Sequence, residues 1–382
     1  MNHIWRNPGA SRKDLGVALD LHPNLVSDAV RELIRQEWVV ECGSTRTGAG
    51  RAPVSLKLHP SKRACFAVSY DSRRLICALV NPNGEIIRKS EMSHAAVLPE
   101  DIVERISQVF LRMKRGYAGH IVGIGIADPG MVDGIRGIVV RSSTFTEWNH
   151  VGLAEMIGKR TGLMVSLEDS TRTRAAAQYR VTIELQKKQG AMLYLDYGEG
   201  LGFCLVTSEG VWRGEGFAGE LGHVVVDPAG PLCRCGAHGC LENLAGSPAL
   251  EARAAGLLAR GVSSILKGKG KLTEAMIFQA AMAGDRMARN AVRAIMEPFG
   301  LAASLLVAAF HPRFVVVGAE TETAIRCLCR ELESVISDRT LPEISSTVEI
   351  LGGRESRPLA LTGAGLMVFG KIFMGNGRHT YP

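Results

Sequence analysis

This 382-residue chain contains no run of about 18 uncharged apolar residues, the length a helix needs to cross a bilayer, so no membrane span is predicted. The opening residues, MNHIWRNPGASRKD, lack the apolar centre of a secretory signal, which points to a cytoplasmic protein without a membrane partner. The pattern of a disulfide framework is missing as well. Nine cysteines in a chain this long, three of them crowded into CRCGAHGC at 233–240, suit reduced thiols and a bound metal instead. Acidic residues are absent between Cys42 and Tyr70, whereas Arg46, Arg51, Lys57, Lys62 and Arg63 all fall there. A basic tract of that kind can rest against phosphates.

What is present is the composition of an ordinary globular protein, 46% hydrophobic and 22% charged. The length allows two or three separate cores, because single domains rarely grow far beyond about 250 residues. A net charge of +7 permits a nucleic-acid partner. Within residues 1–60, Ser11-Arg-Lys-Asp14 reads as a capping box opening a helix that carries Leu15, Ala18 and Leu19. Pro23 suits the first turn of a second helix, in which Leu25, Val26, Ala29, Val30, Leu33 and Ile34 are predicted to share the buried face. Asn24, Ser27, Asp28, Arg31 and Arg35 point away from it. Trp38–Glu41 and Val54–Leu58 read as strands around the tip GSTRTGAGRAP. Helix, turn, helix and hairpin make the winged helix-turn-helix pattern, in which the second helix enters the major groove of DNA. That assigns Asn24, Ser27 and Arg31 to base reading, and Arg46 and Arg51 on the wing to phosphates. Asp28 opposes phosphate contact unless it accepts from a cytosine amino group.

After residue 63 the pattern changes to strand–turn–strand and βα units. CFAVSYDSRRLICALVNPNGEIIRKS supplies three strands, followed by a helix near 98–115 and the strand HIVGIGIA. A helix near 152–161, the strand MVSLED and the helical STRTRAAAQYR come next. A second set starts at AMLYLDYGEGLGFCLVTSEGVW, passes through the cysteine cluster and the helices of 247–308, and reaches the strand RFVVVGAE. This order fits two similar α/β halves with a cleft between them.

Four tracts then line up: ADPGMVD at 127–133, LEDSTRTRAAA at 167–177, GEGLGFCLV at 198–206 and GELGHVVVDPAGPLCRCGAHGCLEN at 219–243. Behind a winged helix, together they resemble the ROK family, which groups repressors and sugar kinases. The resemblance spans nearly the whole chain, and its most specific part is GELGH followed by Cys-x-Cys-Gly-x-x-Gly-Cys-x-Glu. It implies an α/β, actin-like (ribonuclease H-like) two-lobed domain. Residues 61–182 would form the first lobe, joined by a C-terminal helix at about 360–375. Residues 183–359 would form the second lobe with a zinc loop, and residues 1–60 the winged helix-turn-helix domain.

The resemblance also implies roles for residues. His223, Cys233, Cys235 and Cys240 complete a tetrahedral zinc shell with no position left for water, so the zinc is structural. His238 is a rival ligand by position, but the family pattern selects His223. In ROK kinases an Asn-Asp pair ends a first-lobe strand, and its Asp is the general base toward the sugar hydroxyl. Here the pair is Glu168-Asp169, with the base position kept and the Asn position changed, either by drift or to select a cationic ligand. Glu220, His223 and Glu242 correspond to residues that bind sugar hydroxyls in relatives. The phosphate side departs from the kinases. Ser69 replaces the Asp of the first glycine loop, Asp71 and Ser72 replace its glycines, and Arg73 replaces its Thr. Tyr197-Gly-Glu-Gly stands at the second loop, where Glu199 adds a negative charge. No catalytic residue is therefore expected, with Asp169 a vestigial base.

These features predict a ROK-type transcriptional regulator, a repressor. It would bind operator DNA and a sugar or sugar derivative as a dimer or tetramer. The alternative is an ATP-dependent sugar kinase with a DNA-binding extension. A vestigial kinase would lose both sides of its cleft alike, so a surviving hydroxyl side favours sensing.

Overall fold

The structure, a computed structural model, describes residues 1–43, 54–95, 97–142, 145 and 147–374, except the side chains at 184, 356 and 357. Arg46 and Arg51 lie outside the described residues. The chain divides into two units, Met1–Thr173 with Ala360–Pro382, and Arg174–Leu359.

The first unit begins with α1 (Asn2–Arg6), α2 (Arg12–Leu19) and α3 (Pro23–Arg35), followed by the antiparallel pair β1 (Val39–Cys42) and β2 (Ser55–Leu58). The capping box is formed: the Asp14 amide donates to Ser11 Oγ at 3.2 Å, and the Ser11 amide to Asp14 Oδ2 at 2.8 Å. On α3 the buried stripe is narrower than the sequence pattern predicts. Val26 and Val30 are buried and Leu33 and Ile34 half-buried, but Leu25 is 61% exposed and Ala29 is exposed too. Each lies about 100° round the helix from Val26 or Val30, beyond the reach of so small a core.

The same unit continues with β3 (Arg63–Tyr70), β4 (Arg74–Val80), β5 (Ile86–Ser93), α4 (Pro99–Arg115) and β6 (His120–Asp128). Three short strands, β7 (Met131–Asp133), β8 (Ile138–Arg141) and β9 (Asn149–Val151), form a small sheet that the sequence reading missed. Then come α5 (Leu153–Thr161), β10 (Val165–Asp169) and α6 (Ser170–Gln186). The main sheet runs β10-β6-β3-β4-β5, with β10, β6 and β3 parallel. Alternation along β3 decides its two faces. Phe66 and Val68 pack with Ile102, Phe110 and Ile157 of α4 and α5, while Ala67 joins Ala78 and Ala127 under the C-terminal helix.

In the second unit β11 (Met192–Tyr197), β12 (Leu201–Thr207) and β13 (Gly210–Val211) precede a 3-10 turn at Glu220–His223. Next are α7 (Leu241–Ala245), α8 (Ser247–Ala259), α9 (Glu274–Met282), α10 (Arg286–Phe310), β14 (Phe314–Gly318), α11 (Glu322–Arg339), α12 (Pro342–Ser345) and β15 (Glu349–Gly352). The sheet order is β13-β12-β11-β14-β15. Numbered from each unit's first long strand, both sheets read 3-2-1-4-5. By length and composition α10 is apolar enough to cross a membrane. Its residues at intervals of four, Met287, Ala291, Ile295, Phe299 and Ala303, are instead buried in this unit's core.

Finally α13 (Ser356–Met374) returns to the first unit. It packs so tightly on β6 that a Cβ at Gly125 would fall 1.9 Å from the Ala364 carbonyl oxygen, so only glycine fits there. At its far end Phe373 lies edge-on to both Trp5 and Trp38, with ring centroids 5.4 and 5.6 Å away. The Trp5 indole N–H donates to the Pro82 carbonyl at 2.8 Å. The N-terminal helices and hairpin are thus docked on the first unit by aromatic packing.

Candidate ligand and metal sites

In open α/β sheets, ligands settle beyond the carboxyl ends of the strands. In the first unit β3, β6 and β10 end at Tyr70, Asp128 and Asp169, and Asp128 and Asp169 are direct register partners. Asp169 Oδ1 accepts from the Arg172 amide at 2.9 Å and so caps α6. Glu168 is buried, accepts from the Asp169 amide at 3.1 Å, and pairs with Arg172 Nε at 3.0 Å. The side chains of this pair are 3% and 2% exposed, so the charge of Glu168 is matched inside the unit. Asp128 is a residue that sequence reasoning missed, although it lies in the tract ADPGMVD. It is buried, and accepts from the Tyr70 hydroxyl and, at 2.7 Å, from the Gly130 amide. Burial pushes its carboxyl up to about 6, and the Asp169 charge adds to the effect.

In the second unit the residues GELGH form the 3-10 turn, with Glu220 and His223 half-buried. Glu242, on α7, is 8% exposed. Its Oε1 accepts from Arg234 Nη2 at 2.7 Å and Nε at 3.2 Å, while its Oε2 lies beside Gly200 and Gly222. Glu242 therefore adjoins both the GELGH turn and the second glycine loop. Arg234, inside the cysteine loop, is a partner that sequence reasoning missed. Glu168 and Asp169 belong to the first unit, and Glu220, His223 and Glu242 to the second.

The ligand atoms of His223, Cys233, Cys235 and Cys240 all lie within 4.8 Å of one another. Cys235 and Cys240 Sγ are 3.5 Å apart, and Cys233 Sγ is 3.7 Å from His223 Nδ1. A tetrahedral ion with metal–thiolate bonds of about 2.3 Å needs edges of about 3.8 Å, so this group can hold a metal ion. The loop closes through Gly239 (φ +71°), where a Cβ would overlap the Asp227 carbonyl at 1.5 Å. The Ala237 amide holds the Cys235 thiol below its ordinary pKa, whereas burial pushes Cys240 up to about 12. His238 stands apart, exposed, with Nδ1 3.2 Å from the Gly230 carbonyl.

On α3, Asn24 and Arg31 are exposed and Ser27 is half-buried. Arg31 pairs with Asp28, which removes the repulsion that Asp28 would offer a phosphate. Two of the five basic residues make contacts within the fold. Lys62 pairs with Glu37 at 2.7 Å, and Arg63 lies 4.0 Å over the Trp38 ring while donating to the Gln36 carbonyl. Lys57 stays exposed. At the turn between β3 and β4, the amides of Arg73 and Arg74 both donate to Asp71 Oδ1 at 2.8 Å.

Two units of one strand order, with a Gly-x-Gly turn after β11 and a loop of one histidine and three cysteines in the second, mark the actin-like class of sugar kinases and related regulators. The model of the ROK family matches residues 65–370, and the chain belongs to that family. The chain is 28% identical over 349 residues to the xylose repressor of Caldicellulosiruptor bescii, covering 88% of this chain and 86% of the relative. To the glucokinase of Thermotoga maritima it is 29% identical over 300 residues, covering 77% of this chain and 93% of the enzyme. Among solved structures, a ROK family transcriptional regulator described as a homologue of the Escherichia coli Mlc protein superimposes with a TM-score of 0.80. It is 26% identical and covers 94% of this chain and 91% of its own.

Proposed function

We propose that this protein is a sugar-responsive transcriptional repressor. The observation that carries this reading is coverage. The regulator structure matches 94% of the chain, whereas the glucokinase, nearly complete itself, matches 77%. The part that distinguishes the two includes a helix–helix–hairpin module suited to DNA. In this reading α3 enters the major groove with Asn24, Ser27 and Arg31 toward the bases, and exposed Leu25 and Ala29 can meet thymine methyl groups. Arg46 and Arg51 contact phosphates. Glu220, His223 and Glu242, with Asp169, bind hydroxyls of a sugar or sugar derivative. Zinc sits on His223, Cys233, Cys235 and Cys240 as a structural staple, and the protein acts as a homo-oligomer, so that two α3 helices meet two half-sites.

Against the kinase reading, Asp71 occupies the amides of Arg73 and Arg74, which in a glycine loop would face phosphate. Glu199 adds a charge of the wrong sign for ATP. The test is selection of bound duplexes from a random library, followed by anisotropy titration with a sugar panel that includes xylose. Enrichment of a two-fold symmetric site whose affinity changes with one sugar is the expected result. Absence of any sequence preference, or sugar-dependent release of ADP, would sink the proposal.

A further inference from the structure

The strand ends of the second unit gather carboxylates that neither the cysteine loop nor Glu242 accounts for. β11 ends at Tyr197 and the next turn presents Glu199, while Glu320 follows β14. Glu251 on α8 and Glu274, the first residue of α9, join them. The Glu274 amide donates to Glu251 Oε1 at 3.0 Å, and the buried Ser247, whose amide bonds the Gly198 carbonyl at 2.8 Å, reaches the Glu274 carboxylate with its hydroxyl. Glu199, Glu251 and Glu274 make no ion pair with a cation among the described residues. Exposed Lys271 lines a 420 Å³ hollow together with Glu251, Ala255 and Leu272. Burial, then the charges of Glu320, Glu251 and Glu199, push Glu274 up to about 7.

An independent feature points to a ligand. Tyr197 is 2% exposed, and its hydroxyl has no hydrogen-bond partner among the described residues. That hydroxyl feels the charges of Glu274 and Glu251, and Glu274 Oε2 is likewise buried without a partner. Buried polar atoms left so are costly and rare in native structures.

We propose that this edge of the second unit is a binding site for an organic ammonium, with Glu199, Glu251, Glu274 and Glu320 accepting its N–H groups and the Tyr197 hydroxyl completing the shell. A nucleotide is repelled by the same charges. A directly chelated divalent metal does not fit, because its oxygen bonds of about 2.0–2.6 Å hold ligand atoms close together. Among the described residues only the His223–cysteine group gathers three or more such atoms within 4.8 Å. Ammonium hydrogen bonds of about 2.8 Å span wider gaps, and a diamine bridges carboxylates still farther apart. The site goes beyond the sugar-sensing reading and does not depend on it.

Calorimetry on the full chain at constant ionic strength tests this with 1,4-diaminobutane, magnesium chloride and tetramethylammonium, which has no N–H to donate. Saturable binding of the diamine, none of tetramethylammonium, and at least a tenfold loss in each of Glu274→Gln, Glu251→Gln and Glu199→Gln are expected. Melting temperature and zinc content report whether each variant is folded, and Glu199→Gln, at an exposed turn, is the mildest of the three. Glu155→Gln, on α5 of the other unit, should bind the diamine as the unaltered chain does, and any sugar response should persist in Glu199→Gln. The proposal fails if the diamine does not saturate at millimolar concentration, if the three variants bind it unchanged, or if magnesium displaces it and is lost in the same variants.

Discussion

Glu168 shows how a single partner decides the meaning of a residue. With Arg172 buried against it, the charge that made a cationic effector conceivable at this position is already matched. Breaking a buried pair leaves an uncompensated ion, at a cost of about 3–5 kcal/mol. Glu168→Asn, which restores the residue of the family's kinases, should therefore lower stability by that amount in urea unfolding, and Glu168→Asn/Arg172→Leu should recover most of it. A single variant as stable as the parent would refute the pairing. Asp128 makes a prediction in pH. Its folded pKa of about 6 lies above the ordinary aspartate value, about 3.9. Below about pH 4 it is protonated folded or unfolded and has no effect. As pH rises to 6 the unfolded chain ionises first, so stability falls, by about 3 kcal/mol in full for two units at 1.36 kcal/mol each. Asp128→Asn should remove that slope, gaining on the parent between pH 4 and 7. Parallel stability curves would show that Asp128 ionises freely in the fold.

Two elements depend on contacts made far along the chain. In the 219–243 loop Val224, Val225, Val226 and Leu232 are exposed, so a metal held by His223 and the three cysteines would supply much of its stability. Cys235→Ser, or prolonged chelation, should lower the melting temperature by several degrees, at about 2–4 °C per kcal/mol for a unit of this size. Metal analysis should find about one zinc per chain in fresh protein and clearly less in the variant. The second element is the end of α13. Phe373 holds Trp5 and Trp38, and each aromatic pair is worth about 0.5–1.5 kcal/mol beyond burial. Phe373→Ala should loosen the first sixty residues from the rest and raise their rate of limited proteolysis, while zinc content stays unchanged. Equal protease resistance would mean that the hairpin and helices dock without it.

For the whole molecule, the decisive question is which ligand-binding residues the chain has kept. In the proposed reading Asp169, Glu220, His223 and Glu242 would bind hydroxyls, while Asp71, Arg73 and Glu199 stand where the family's kinases bind phosphate. Calorimetry with Mg-ATP should give no micromolar affinity, with or without sugar, and a coupled assay should detect no ADP. Phosphate contacts by Arg46 and Arg51 should appear as a salt slope that falls by about one for each residue changed to Ala, with sequence preference unaltered.

Periodicity and short-range chemistry were enough to read the capping box, the α/β alternation and the three clustered cysteines, because helix caps, pleats and cysteine spacing are encoded within a few positions. The choice of His223 over His238 came from the family resemblance. Tertiary structure decided what lies between distant segments. It set Asp128 beside Asp169 by strand register, Arg234 on Glu242 by loop closure, and Lys62 and Arg63 against the α3–β1 turn. It also exposed Leu25 and Ala29, whose apolar spacing alone had placed them inside. Hydrophobic pattern states only that a face can be buried; the size and position of the neighbouring core determine how much of it is.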